Sequence, residues 1–183
     1  KSKGNHIITS KIEHKAVLNS IESIAKERGI TILFLDVDEY GLPNKQQLIE
    51  YLENSDEKTL VSLMHINNET GTMINLEEFG KICKSNNALF HSDTVQTIGH
   101  YNIDLDNINI DFMTCSAHKF HGPKGVGFAY IKNGQTIKPL IEGGEQERGY
   151  RGGTESIHNI VGLKTAIDIS YENLENDSKK VKE

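Results

Sequence analysis

Short apolar runs of the kind that form strands alternate with stretches of helical spacing, and this alternation constrains the fold more than any other feature of the sequence. We predict strands over 6–10, 31–37, 59–66, 88–93, 111–116 and 125–131, and helices over 16–28, 45–52, 76–85 and after Ser156. Strands that alternate with helices form a mostly parallel sheet with helices on both faces. The sequence therefore predicts a three-layer αβα fold of the α/β class. The last strand follows its predecessor without an intervening helix, so we expect it to be antiparallel.

Composition narrows the choice of partners and compartment. A net charge of −6 disfavours nucleic acid, because phosphate binding requires a basic surface. Two cysteines are too few for a disulfide framework and indicate a reducing compartment, which we expect to be the cytoplasm. No apolar run approaches the roughly 20 residues of a membrane-spanning helix, so we expect no membrane partner. The chain opens at Lys1 without a methionine and ends in a charged helical run, and we expect it to be part of a longer protein.

Polar side chains accumulate where the predicted strands end. Asn67 and Asn68 follow the third strand, Asp93 ends the fourth, and His118 and Lys119 follow the fifth. Ligands of open α/β sheets bind at the carboxyl ends of the strands. We therefore expect a binding site at this edge.

Asp93 and Lys119 form the most informative pair at this edge. Taken alone, Asp93 is equally well explained as the N-cap of a helix that begins at Thr94, and a single lysine is usually a surface lysine. Together they match the needs of pyridoxal phosphate, which binds covalently to a lysine amine and whose ring nitrogen is kept protonated by a carboxylate. The pair indicates a pyridoxal-phosphate enzyme.

The segment SAHKFHGPKGVG, which contains Lys119, resembles the cofactor-lysine motif of the cysteine desulfurases, class V members of the type I aminotransferase-fold enzymes. Four further motifs agree, occur in the family's order and together extend the resemblance over nearly the whole chain: HIITSKIEHKAVLNS, MHINNETGT, HSDTVQTIGH and GGEQERGYRGGTESIHNIVG. The GPKG and ERGYRGGT segments favour the branch that supplies iron–sulfur cluster assembly and tRNA thiolation. The resemblance implies the large domain of a fold type I pyridoxal-phosphate transferase.

The resemblance also implies roles for individual residues. Lys119 would bind the cofactor covalently, and Asp93 would pair with the ring nitrogen. Gln96 and Asn68 would hydrogen-bond the phenolic oxygen of the ring. His14 would stack on the ring face and move protons, a role for which imidazole is the usual side chain at neutral pH.

Three more residues would hold the cofactor phosphate. Ser116 and His118 would do so within one subunit, and Thr154 would reach the phosphate of a neighbouring subunit, which implies a homodimer with shared sites. The implied substrate is L-cysteine, which becomes L-alanine while its sulfur passes as an enzyme persulfide to a sulfur-acceptor protein.

In the family, 1–183 would be the central part of the large cofactor-binding domain. The phosphate loop would precede this range, and the C-terminal small domain, the persulfide cysteine and the substrate-binding arginine would follow it. Cys115 lies in a predicted strand and Cys83 on a predicted helix, and neither occupies the persulfide position. We therefore expect this chain alone to be inactive.

Other interpretations of the same residues remain open from the sequence alone. His14 also fits an ordinary residue at a helix start, and Gln96 and Asn68 also fit surface polar residues. His118, His121 and His91 suggest a metal site, but no cysteine or carboxylate cluster completes its geometry, so we predict no metal.

Arg148 and Arg151, beside their glycines, suit structural or interface positions.

Other functions also remain open. Aminotransferase or selenocysteine lyase activity is the alternative within the fold, and a non-catalytic sulfur-transfer scaffold is the alternative from another class.

Overall fold

A computed structural model describes residues 5–182, with side chains through Val181. One six-stranded sheet forms its centre, in the order β2–β1–β3–β4–β5–β6. The strands are β1 (Asn5–Ser10), β2 (Thr31–Leu35), β3 (Lys58–Ser62), β4 (Leu89–Asp93), β5 (Phe112–Ser116) and β6 (Gly127–Ile131). All neighbouring pairs are parallel except β5 and β6, which are antiparallel. The predicted α/β class and the antiparallel last strand are both confirmed.

Helices surround the sheet as α1 (Lys15–Arg28), α2 (Lys45–Glu53), α3 (Leu76–Ser85) and α4 (Ile157–Lys182). Asn44 caps α2 and Asn75 caps α3, because each side chain accepts a hydrogen bond from a first-turn backbone N–H group. None of these helices, within the described part of the chain, is long and apolar enough to cross a bilayer.

The main apolar core lies on one face of the sheet. Ile8, Val61 and Phe90 are in register across β1, β3 and β4 and are almost fully buried. Leu48 of α2 and Phe79 of α3 belong to the same buried cluster. Burial of side chains of this size stabilises a fold by roughly 1.5–3 kcal/mol each, so this row holds α2 and α3 against the sheet.

The opposite face carries α1. Ile7 precedes Ile8 and therefore points to the other side of β1, where it lines a cavity together with Ile21 of α1. The helices thus cover both faces, as predicted, and the second face leaves a cavity between α1 and the strands.

A short 3₁₀ helix, Ala117–Phe120, follows β5 and carries Lys119. Phe120 is 0% exposed and packs in a second apolar cluster, where α4 contributes Leu163. Gly99 lies against it with φ +82°, and a Cβ atom there would come within 2.5 Å of the Phe120 Cβ atom. The buried phenylalanine therefore anchors the segment that presents the lysine.

The predicted strand 59–66 is too long. β3 ends at Ser62, although the Leu63 N–H group still donates to the His91 carbonyl. Beyond it, the side chain of Asn67 accepts hydrogen bonds from the next backbone N–H groups and closes a tight loop. A buried apolar sequence therefore continues past the point where strand geometry ends.

Candidate functional site

A cavity of about 720 Å³ lies between α1 and the carboxyl ends of the strands. Seven of the eight predicted site residues line it: His14, Asn68, Asp93, Gln96, Ser116, His118 and Lys119. The eighth, Thr154, is exposed in the loop before α4 and does not line this cavity. Residues predicted from four separate sequence motifs thus meet at one edge of the sheet, whereas Thr154, from the fifth motif, does not join them.

Asp93 ends β4 and is only 8% exposed. Its Oδ1 atom accepts a hydrogen bond from the Val95 N–H group at 2.9 Å. Its second carboxylate oxygen has no hydrogen-bond partner among the described residues. The residue therefore accepts a hydrogen bond within the turn that follows it, where no helix forms, and it also lines the cavity.

Lys119 is exposed and lines the cavity. Its carbonyl oxygen lies 3.0 Å from the His100 Nε2 atom, which fixes the backbone. Among residues 5–182, the Lys119 ammonium group makes neither a hydrogen bond nor an ion pair. Ser116 and His118 flank it, with the Ser116 Oγ atom 2.9 Å from the His118 Nδ1 atom. The arrangement gathers an unengaged amine, a hydroxyl group and an imidazole at one strand end.

His14 is the N-cap of α1, because its Nδ1 atom accepts a hydrogen bond from the Ala16 N–H group at 3.1 Å. In the neutral ring the proton then resides on Nε2. His14 also lines the cavity. The helix-start interpretation and the site interpretation therefore describe the same residue, and Nε2 is the atom left for proton exchange.

The two consecutive asparagines have different environments. Asn67 is buried, and its amide donates to the Ile12 carbonyl at 2.8 Å. Asn68 is exposed, contacts Glu69 and lines the cavity. Gln96 is half-buried and also lines it. Asn67 therefore has a structural position, and Asn68 and Gln96 are available to a ligand.

The sequence interpretation considered His91 only as a candidate metal ligand and missed its place as a polar group of the cavity. His91 lines the cavity, and its Nδ1 atom lies 2.8 Å from the Ser62 Oγ atom. Burial lowers the pKa of His91, and the charge of Asp93 acts against this shift. The ring is therefore neutral at pH 7. Its place two residues before Asp93 was the available signal, since alternate residues of a strand share a face.

Glu13 is a second residue that the sequence interpretation missed. It is 6% exposed, and its Oε1 atom accepts hydrogen bonds from the Ser10 hydroxyl at 3.0 Å and the Met64 N–H group at 2.9 Å. Its Oε2 atom is buried without a partner. Burial raises the pKa of Glu13 from 4.5 to about 7; the charge of Asp93 adds to the shift, and the two hydrogen bonds oppose it.

This pKa shift predicts how Glu13→Gln changes stability with pH. The unfolded state loses the Glu13 proton near pH 4.5 and the folded state near pH 7. The stabilisation from the protonated form is complete below pH 4.5 and is lost as pH rises to 7. The amide cannot ionise. The free energy of unfolding of Glu13→Gln should therefore rise by up to about 3 kcal/mol relative to that of the native protein as the pH increases from 4.5 to 8. Denaturant unfolding of both proteins at pH 5 and pH 8 measures this, and a pH-independent difference would contradict it.

Both cysteines are buried and free, Cys115 in β5 and Cys83 on α3, as the predicted strand and helix placed them. Burial raises the pKa of Cys83 to about 12, with a contribution from Asp111, and burial raises the pKa of Cys115 to about 11. Thiolates are the reactive form of cysteine. Neither residue is therefore suited to act as a nucleophile at neutral pH.

The structure brings together only two of the three histidines of the alternative metal site. His91 and His118 line the cavity, whereas His121 lines a different groove beside α4. Within residues 5–182, no group of three or more His, Cys, Asp and Glu side chains is arranged to hold a metal ion. Arg148 and Arg151 are exposed in the loop region before α4.

The family profile described as Aminotransferase class-V matches residues 1–183. The chain belongs to the class V aminotransferase family. A relative named cysteine desulfurase IscS, from Clostridium botulinum, is 49% identical over 183 residues, which are 99% of this chain and 45% of that protein.

Solved structures of the family agree with the fold. One named NifS-like protein is 42% identical with a TM-score of 0.89, over 98% of this chain and 49% of its own. A NifS-like protein from Rickettsia africae is 34% identical with a TM-score of 0.85, over 97% of this chain and 51% of its own. This class V aminotransferase chain spans about half the length of the relatives it matches.

Proposed function

We propose that this chain is the central part of the large domain of a pyridoxal-phosphate-dependent cysteine desulfurase, which converts L-cysteine to L-alanine and retains the sulfur as an enzyme persulfide. One observation carries the proposal: a single cavity gathers the amine of Lys119, the carboxylate of Asp93 and the imidazole of His14. Relatives named cysteine desulfurase, one of them 49% identical, support the choice of reaction.

The residues present fit pyridoxal phosphate. The cavity of about 720 Å³ lies within the usual 300–1,000 Å³ range of small-molecule sites. Asp93 offers a carboxylate oxygen without a hydrogen-bond partner among the described residues, which suits a protonated ring nitrogen. The amine of Lys119 is unengaged within residues 5–182, and Ser116 and His118 offer donors for a phosphate.

Bound pyridoxal phosphate would supply an electron sink for the α-carbon of an amino-acid substrate. Lys119 would hold the cofactor covalently, and Asp93 would keep its ring nitrogen protonated. Asn68 and Gln96 would hydrogen-bond the phenolic oxygen, and His14 would stack on the ring and exchange protons through Nε2.

The sulfur-accepting cysteine would come from another part of the whole protein, because Cys83 and Cys115 are buried and their pKa values are raised. We also propose that the protein is a cytoplasmic homodimer in which Thr154 reaches the phosphate of the neighbouring site. The sulfur would pass to acceptor proteins for iron–sulfur cluster assembly or tRNA thiolation. A net charge of −6 supports a protein acceptor over direct contact with nucleic acid.

A non-catalytic scaffold is a weaker proposal. A scaffold has no use for an amine, a carboxylate and a histidine directed into one cavity. An aminotransferase would use the same three groups, so only the products distinguish it from a desulfurase.

The test is an assay of the full-length protein with pyridoxal phosphate, L-cysteine and a thiol reductant. We expect equal amounts of alanine and sulfide from the full-length protein and neither from residues 1–183 alone. Pyruvate-dependent amino transfer without sulfide would identify an aminotransferase. Sustained sulfide release by residues 1–183 would show that Cys83 or Cys115 serves as the nucleophile, contrary to the proposal.

A further inference from the structure

Glu13 is a buried carboxyl group that lies next to the site without lining the cavity. It follows the turn after β1 and directly precedes His14. Its Oε1 atom accepts one local hydrogen bond, from Ser10, and one from the backbone of Met64, which is distant in the sequence. The carboxyl therefore joins the end of β1 to the segment after β3.

A second hydrogen bond joins the same two segments. The Asn67 amide donates to the Ile12 carbonyl at 2.8 Å. Together, the bonds from Met64 to Glu13 and from Asn67 to Ile12 form a clasp between 12–13 and 64–67. The clasp lies at the start of α1, where His14 both caps the helix and faces the cavity.

We propose that Glu13 is a positioning residue for His14, and that its buried carboxyl holds the turn that carries the imidazole against the segment after β3. The inference rests on the proposed function, since it assigns His14 to a bound cofactor. The Ala16 hydrogen bond fixes the ring relative to α1, whereas the clasp fixes the start of α1 relative to the sheet, in which Asp93 ends β4.

The unpartnered Oε2 atom supports this role. A buried polar atom without a partner destabilises a fold, so its retention needs compensation, which the two hydrogen bonds to Oε1 provide. The raised pKa also keeps much of Glu13 neutral near pH 7, which limits the negative charge near Asp93. Glutamine reproduces this neutral form, because its oxygen can still accept both bonds.

The first experiment measures the clasp without the cofactor. In cofactor-free full-length protein, amide hydrogen exchange at Met64 should be faster in Glu13→Leu than in the native protein and no faster than native in Glu13→Gln. Asn75→Ala, which removes the cap of α3 away from the cavity, controls for general destabilisation. Equal exchange at Met64 in Glu13→Leu and Asn75→Ala would overturn the clasp.

The second experiment is a double-mutant cycle in the full-length enzyme. Glu13→Leu should lower kcat/KM roughly 10- to 100-fold, as expected for a misplaced catalytic group, and Glu13→Gln should stay within about threefold of the native value. In the His14→Ala background, Glu13→Leu should cause no further loss, because its effect passes through the imidazole. If the losses of kcat/KM caused by Glu13→Leu and His14→Ala multiplied in the double mutant, the proposal would be overturned.

Two controls keep the outcomes separate. If Glu13→Leu does not fold, Glu13→Asp takes its place, because its shorter side chain withdraws the carboxyl from Met64 while it remains acidic. If the native protein neither binds pyridoxal phosphate nor produces alanine, the proposed function and the role of Glu13 toward a bound cofactor both fail. Normal native turnover with no effect of either Glu13 variant would overturn the positioning role alone.

Discussion

Lys119→Ala should abolish covalent cofactor attachment in the full-length protein and lower turnover by at least about 1,000-fold. The native protein should show a yellow band with pyridoxal phosphate, and borohydride reduction should fix a pyridoxyl group on Lys119. The physical reason is the unengaged amine of Lys119, which neither a hydrogen bond nor an ion pair occupies within the described residues. Peptide mapping after reduction locates the label.

Lys124→Ala is the matched control. Lys124 is an exposed lysine in the GPKG segment, which follows the 3₁₀ helix of Lys119, and it does not line the cavity. The Lys124→Ala variant should keep the yellow cofactor band, the pyridoxyl label on Lys119 and the native turnover. A label on another lysine, or an unaltered band in Lys119→Ala, would show that the assignment of Lys119 is wrong.

Asp93→Asn should lower kcat roughly 10- to 1,000-fold while the cofactor still binds. The asparagine oxygen can still accept the Val95 N–H hydrogen bond, so the turn after β4 should be retained. What is lost is the negative charge, and an opposite charge favours the protonated form of a neighbouring group by about 1–3 pKa units. Each unit is a tenfold change in that equilibrium. Steady-state kinetics and cofactor content of the purified variant measure the two effects separately.

Asp111→Asn provides the comparison for this substitution. Asp111 precedes β5 at the opposite end of the sheet and accepts the Phe90 N–H group at 2.9 Å. This variant removes the same charge from a structural position and should retain turnover within a few-fold. If Asp93→Asn behaved like Asp111→Asn, the electronic role of Asp93 would be excluded.

Local sequence patterns predicted the strands and placed Asn68, Asp93, His118 and Lys119 at strand ends, whereas the family resemblance supplied His14, Gln96 and Ser116. Asp93 and Lys119 were predictable because Asp93 ends one apolar strand and Lys119 follows another, and parallel strands bring their carboxyl ends to one edge. The sheet order was not predictable from these patterns, since it depends on which strands pair across long connections. The length of β3 was also overestimated, because burial continues beyond Ser62.

Glu13 shows why the remaining features were missed. It lies in the polar segment KIEHK, where nothing in the local pattern indicates burial. Its environment comes from Met64, which is 51 residues away. A contact of this kind depends on the tertiary fold, so the sequence identified His14 but not the carboxyl that holds its turn.

The placement of the cavity at the ends of four parallel strands has a consequence for how the protein folds. His14 follows β1, Asn68 follows β3, Asp93 ends β4 and Lys119 follows β5. No hairpin or other local segment contains the set, so large loops must close before these groups meet. Parallel pairing of this kind is intrinsically slow. The complete site therefore requires all four strands to pair, and a nascent chain that ends before β5 lacks Lys119.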